Sequence, residues 1–443
     1  MNQPQTRRRL RVLSVILLLL LPLLWLHLSG WAETQRLRLQ LAEFNDEPTV
    51  VTAAGIPMPD SMARKAIPTR YYKAAADLAS ISPGFGRLLE LNVAAAASSP
   101  ARSINGIFER QLGEVVSRNG DAMRLLVAAN TGNVMSPGVL APELLRLDGQ
   151  DLYRLWRLAS ANVTLFTAKK EWGAAADAMV QSLALVPLFE LDLRAYGVRQ
   201  KYDALWEQTS QIGFLLESGR IDADALHAIE RELSSAIGDD DLRRYWALGG
   251  TRFATDVAVP LLGGLSGGRP FAWWLSPLRP MFQREAAETL KMYAEIERIS
   301  AKPWPGRIDG VTALAMPDRS SKRSLVPLVE SAKSTAAAFA YGTALQHAGL
   351  AAIAVERHRQ ATGHVPQALE DLVPRYVPEV PIDPFTGGPM RYRLSGTSCT
   401  IYSVGRDRSD DGGVLLQSVD RGSVDGPKGK DVGLTVRWAN EGL

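Results

Sequence analysis

The stretch Ala351–Gly413 reads AAIAVERHRQATGHVPQALEDLVPRYVPEVPIDPFTGGPMRYRLSGTSCTIYSVGRDRSDDGG, and its punctuation decides how the end of the chain folds. A helix is predicted from near Ser324, because Pro327 is tolerated only in a first turn, to Ala361, with loosening at Gly342 and Gly349. At ~1.5 Å per residue it would be about 55 Å long. Gly363 supplies a left-handed C-cap, and Pro366 blocks continuation. A second, short helix is expected to open at Pro366, bury Leu369, Leu372 and Val373, and stop at Pro374. From Pro378 to Pro389 the path is extended, since each proline fixes its own φ and restricts the residue before it. Asp383 is placed there to accept backbone N–H bonds, and Phe385 to fill a small core. Arg391–Leu394 and Thr400–Val404 then read as paired strands about a turn at Ser395–Gly396, with Cys399 a small buried thiol.

The hairpin empties into an acidic loop. Asp407, Ser409 and Asp411, followed by Gly412, put oxygen ligands at alternate positions with a glycine for the turn. Calcium loops use this pattern because the ion needs 6–8 oxygens around a tightly folded backbone. An EF-hand would carry glutamate where Ser418 stands, so this is not an EF-hand. A solvated turn rich in Asp and Gly is the competing reading.

Taken in order, these pieces resemble the C-terminal part of the major pseudopilin of type II secretion systems and related type IV pilin-like proteins. The matching residues are Val365-Pro366, Pro381-Ile382-Asp383-Pro384-Phe385 with Gly387, Tyr392, Ser403-Val404-Gly405-Arg406-Asp407 and Gly412-Gly413. The closing Gly429-Lys430-Asp431-Val432 is similar to the acidic segment that ends many of these proteins. Val365 stands where the pattern has tyrosine, and Phe385 where it has tryptophan. The resemblance covers roughly the last quarter of the chain. It implies calcium as the cofactor, with Asp407, Asp410, Asp411 and Asp431 as candidate ligands. It also implies protein partners in secretion or pilus assembly. The chain departs from the family at Arg9–Val15, which offers neither the glycine of the prepilin cut nor the glutamate that follows it. A second departure is the long region between the N-terminal apolar run and the module.

That apolar run, Val12 to about Trp31, carries no charge and follows Arg7, Arg8, Arg9 and Arg11. About 20 apolar residues span a ~30 Å hydrocarbon core. Basic residues on the N-terminal flank stay cytoplasmic, which sends the rest of the chain across the membrane. Trp25 and Trp31 suit the far interface. The alternative is a cleaved signal peptide, for which Gly30 and Ala32 make a small-x-small site.

The middle of the chain is helical in pattern. Helices are expected from near Arg64 and over Ala101–Val116, separated by Ser82-Pro83-Gly84 and the linker-like Ala94–Pro100 run. Leu152, Leu155, Trp156 and Ala159 share one helical face, and Lys169–Gly173 turns the chain into a second helix over Ala174–Leu185. The pair is similar to a tetratricopeptide unit, but no ~34-residue period recurs, so an irregular array is expected. Asp222 is an N-cap for a helix with the stripe Leu226, Ile229 and Leu233. Asp239-Asp240-Asp241 reads as an exposed run capping the next helix, and Trp156, Trp172, Trp206 and Trp246 as core. A helix over Arg284–Ile299 follows a loop-rich stretch holding Trp273 and Trp274. Gly264-Leu265-Ser266-Gly267-Gly268 matches the nucleophile-elbow string, yet Pro260 and Arg269-Pro270 deny it the strand and helix that strain such a serine.

Composition narrows the function classes. A formal charge of +3 with 22% charged residues indicates no nucleic-acid surface. One cysteine, Cys399, excludes an intrachain disulfide and a four-cysteine zinc site. Of the five histidines, His347 and His358 share a face but stand about 16 Å apart along the axis, too far for one metal, and read as surface groups. The expected fold class is therefore mainly α. A transmembrane helix (residues 1–32, with a cytoplasmic tip) precedes an irregular helical array (33–320) and a small α+β pilin-like module (321–443). The expected function is a non-enzymatic inner-membrane scaffold or interaction protein with its bulk in the periplasm or extracytoplasmic space. A serine hydrolase using Ser266 and a cleaved, soluble envelope binding protein are the alternatives.

Overall fold

The structure, a computed structural model, describes residues 31–41, 50–51, 57–58, 69–80, 106–131, 149–191, 195–258, 261, 279–316, 325–416 and 430–438. It is mainly helical with one small three-stranded sheet. The arginine-flanked run before Trp31, the Ala94–Pro100 run, the Ser266 glycine loop and Trp273–Trp274 lie outside the described residues.

In chain order the helices are α1 (31–41), α2 (Thr69–Leu78), α3 (Gly106–Arg118), α4 (Gly120–Thr131), α5 (Gly149–Ala168), α6 (Trp172–Leu183), α7 (Ala195–Glu217), α8 (Ala223–Ser234), α9 (Asp241–Phe253), α10 (Arg279–Ser300), α11 (Gly306–Thr312) and α12 (Leu325–Thr362). Strands β1 (Val50–Val51) and β2 (Pro57–Met58) form a minimal antiparallel pair. Strands β3 (Arg391–Ser395), β4 (Ser398–Ser403) and β5 (Val432–Arg437) form an antiparallel sheet in the order β3-β4-β5, with Tyr392 opposite Ile401 and Cys399 opposite Val436.

Helix α12 is the axis on which the rest packs. Its middle, from Ala336 to Val355, is buried almost all round, with Phe339, Leu345, Ala348, Ile353 and Val355 in the core. A helix apolar all round belongs inside a core or a membrane. Among the described residues, two helical stretches, Trp172–Phe189 and Leu325–Thr362, are long and apolar enough to cross a bilayer. Their apolar windows are 56% and 78% buried inside the protein, which accounts for that composition by internal packing.

Gly342 and Gly349 do not loosen α12. A Cβ at Gly342 would stand 2.6 Å from Ile237, and one at Gly349 2.8 Å from Leu233, so the glycines let α8 and its C-terminal turn approach the α12 backbone. One core joins α2 and α4–α8 to the C-terminal half of α12 and the sheet. A second joins α7 and α9–α11 to the N-terminal half of α12 and to Phe385, Leu416 and Val432. Both cores thus run across residue 320.

Local sequence rules hold at several points. Leu152, Leu155, Trp156 and Ala159 are buried as their spacing requires. Asp222 caps α8 by accepting the Ala225 N–H at 2.8 Å. Trp156, Trp206 and Trp246 are core residues, and Trp172 packs partly buried against the core that holds Trp156. Gly363 ends α12 with φ 79°.

Other expectations need correction. The segment after Pro366 forms only a single 3-10 turn, Leu369–Leu372, and Val373 is exposed, because the prolines leave too little chain for a helix with a continuous buried face. Asp241 is not part of an exposed run. It is buried, bonded to Lys201 Nζ at 3.0 Å and paired with Arg244. His347 is no free surface group either, since its Nδ1 donates to the Ile382 carbonyl at 2.7 Å. Strand β5 was not anticipated, although Val432, Leu434 and Val436 alternate inward as a strand should.

Candidate functional site

The region that carries the sequence motifs is built around two buried aspartates, Asp383 and Asp431. Asp383 sits in the proline loop, 1% exposed. Its Oδ1 accepts the Phe385 N–H at 2.9 Å and the Ser403 hydroxyl at 2.7 Å, and its Oδ2 accepts the Val404 N–H at 3.1 Å. The expected role as a backbone acceptor is therefore met, and it extends to the end of β4. Phe385, fully buried, packs on Tyr341 of α12 with ring centroids 4.9 Å apart. The loop is thus fastened to both the sheet and the long helix.

Asp431 opens the second half. It is fully buried at the start of β5, where its N–H donates to the Val414 carbonyl at 3.0 Å and its carbonyl accepts the Leu416 N–H at 2.8 Å. Gly412 and Gly413 turn the acidic loop back toward it with φ of 68° and 81°, a left-handed conformation that glycine adopts without steric cost. The Asp431 carboxylate then accepts the Gly413 N–H at 2.7 Å and the Asp411 N–H at 3.4 Å. Burial raises the pKa of Asp431, the two N–H bonds oppose that rise, and the charges of Asp410 and Asp411 add to it.

The other acidic residues are placed differently from one another. Asp410 Oδ1 accepts the Tyr402 hydroxyl at 3.0 Å and the Gly412 N–H at 2.9 Å, and its carboxylate lies 3.8 Å from the Arg391 guanidinium. Asp411 keeps one carboxylate oxygen, Oδ2, buried without a hydrogen-bond partner. Asp407 is exposed and accepts the Ser409 N–H at 3.1 Å. The structure thus brings Asp410, Asp411 and Asp431 into one electrostatic neighbourhood and leaves Asp407 exposed. Among the described residues, no set of three or more His, Cys, Asp or Glu side chains converges as a metal-ion cage. Asp411 Oδ2 and the Asp431 carboxylate are the oxygens that fit a hard cation best. Buried negative charge with an unfilled acceptor is what such an ion relieves.

Arg408, beyond the turn, pairs with Asp309 of α11, and Arg393 donates to the Gly412 carbonyl. The loop is therefore tied to the helical array as well as to the hairpin. Cys399 is buried in the core under the sheet, and burial pushes its thiol up to about 12, which removes it as a nucleophile at neutral pH.

Sequence reasoning missed two polar constellations. Arg157 of α5 and Glu207 of α7 form a buried ion pair at 2.7 Å, and Ser160 also donates to Glu207. Gln211 bonds Ser160 Oγ and Thr164 Oγ1, each at 2.9 Å. The only sequence signal was a set of polar residues inside two apolar helical patterns. The other constellation is a small cleft lined by Asp239, Arg307, Gln346 and His347 where α9, α11 and α12 meet. Burial lowers the pKa of Arg307, opposed by Asp239, Asp240 and Asp241.

No protein-family model, curated protein or solved structure matches the chain.

Proposed function

We propose that this chain is a single-pass protein of the bacterial inner membrane, with a cytoplasmic N-terminus and its bulk in the periplasm. It is a non-enzymatic scaffold. The helical region holds a pseudopilin-like module that contacts secretion or pilus-type machinery. The observation that carries this reading is the joint fastening of proline loop, hairpin and acidic loop by Asp383 and Asp431, whose polar atoms are engaged in holding backbone. Support also comes from Ile382 and Val414, apolar residues left 38% and 57% exposed on the two loops so fastened. Affinity capture of the full chain from detergent-solubilised membranes, followed by mass spectrometry, tests it. Recovery of secretion or pilus components, lost with Ile382→Asp and Val414→Asp, is the expected result. Capture of none of them removes this function.

The acidic loop, in this reading, takes calcium through Asp407, Asp410, Asp411 and Asp431. The buried, unpartnered Asp411 Oδ2 and the raised pKa of Asp431 support it. Millimolar calcium is expected to raise the melting temperature of the protein, and Asp411→Asn with Asp431→Asn to abolish that rise. An unchanged melting temperature in the unsubstituted chain defeats the calcium assignment.

A further inference from the structure

We infer that α1 is a rigid strut holding the N-terminal end of α10 against the surface of a lipid bilayer, an inference that rests on the anchored reading above. Leu37 and Leu41 of α1 are buried against Ala254, Ala258, Ala286 and Leu290, so α1 is docked on the body and is not a free tether. Polar pins set its direction. Thr34 Oγ1 donates to Gln283 Oε1 at 3.1 Å, Gln283 Nε2 donates to the Leu261 carbonyl at 2.9 Å, and Arg36 pairs with Glu288. Gln283 is only 2% exposed and spends both ends of its amide on this clip.

Thr34 meets Gln283 and Arg36 meets Glu288, so α1 and α10 run parallel and their N-terminal ends coincide. Trp31 and Met281 stand at that shared end, and they are 63% and 56% exposed. Trp31 is also the residue with which the charge-free run from Val12 ends in the sequence. An apolar helix of ~20 residues spans the bilayer, and tryptophan favours the headgroup level. A membrane helix continued by a strut pinned along α10 brings Met281 to the headgroups together with Trp31. Exposed Arg38 and Arg284 complement anionic lipid there.

The test uses the full chain in vesicles of phosphatidylethanolamine and phosphatidylglycerol. Cys399 is the chain's one cysteine and is buried, so a new surface cysteine is spin-labelled alone. M281C and W31C are expected to relax severalfold more with lipid-soluble oxygen than with an aqueous nickel chelate. K302C, about 30 Å further along the direction of α10, is expected to show the reverse. L20C separates the two claims. Lipid access at L20C with purely aqueous access at M281C and W31C overturns the strut and leaves the anchor standing. Aqueous access at L20C overturns both.

Discussion

Ser403 Oγ donates to Asp383 Oδ1 at 2.7 Å, joining the last residue of β4 to the proline loop across 20 positions of chain. Both side chains are buried, so water cannot replace the bond. The same carboxylate holds the Phe385 and Val404 N–H groups.

Asp383→Asn is therefore expected to turn an amide donor toward an N–H or hydroxyl that needs an acceptor. A buried charged acceptor lost in this way costs about 3 kcal/mol. Ser403→Ala removes two bonds, the one to Asp383 and the one its Oγ accepts from the Gly405 N–H, and costs about 2 kcal/mol. Urea unfolding of the two variants checks the order, and equal losses would contradict it.

Glu207→Ala should be among the most damaging substitutions in the helical region. Glu207 is 2% exposed and Arg157 4%, so removing the carboxylate strands a buried guanidinium at a cost of about 3–5 kcal/mol. The double variant Arg157→Met with Glu207→Leu removes both charges and is expected to lose much less. A double-mutant cycle by chemical denaturation reads the coupling directly.

Gly342→Leu is expected to destabilise by about 1–3 kcal/mol through overpacking, because even a Cβ there meets Ile237 at 2.6 Å and Leu205 at 3.4 Å. Adding Ile237→Ala should restore part of the loss. A lowered melting temperature that Ile237→Ala leaves unimproved would refute the close-approach account.

His347 links α12 to the proline loop through the Ile382 carbonyl. Burial lowers its pKa below the ordinary 6.5, against the opposing pull of that bond and of Asp239 and Asp383. The folded protein therefore favours neutral imidazole. Its contribution to stability is fully present above pH 6.5 and is lost as pH falls through the lowered value. His347→Gln is expected to flatten the stability profile over that acidic range, and an unchanged slope would exclude His347 as its source.

Much of this was legible in local sequence. The caps at Asp222 and Gly363, the apolar face around Trp156, the hairpin turn at Gly396 and the acceptor role of Asp383 all follow from short-range rules, and the structure keeps each of them. Those features depend on φ preference and spacing within a few residues. What only the tertiary structure decided was which distant residues met. The Arg157–Glu207 pair, the docking of His347 on Ile382, the burial of Asp241 beside Lys201 and the addition of β5 each need partners far apart in the chain. The acidic loop shows the division most clearly. Its aspartates and glycines were visible at once, but the contrast between buried Asp431 and exposed Asp407 came from β5 folding back beside the turn, since burial is set by what packs against a residue and not by its neighbours in sequence.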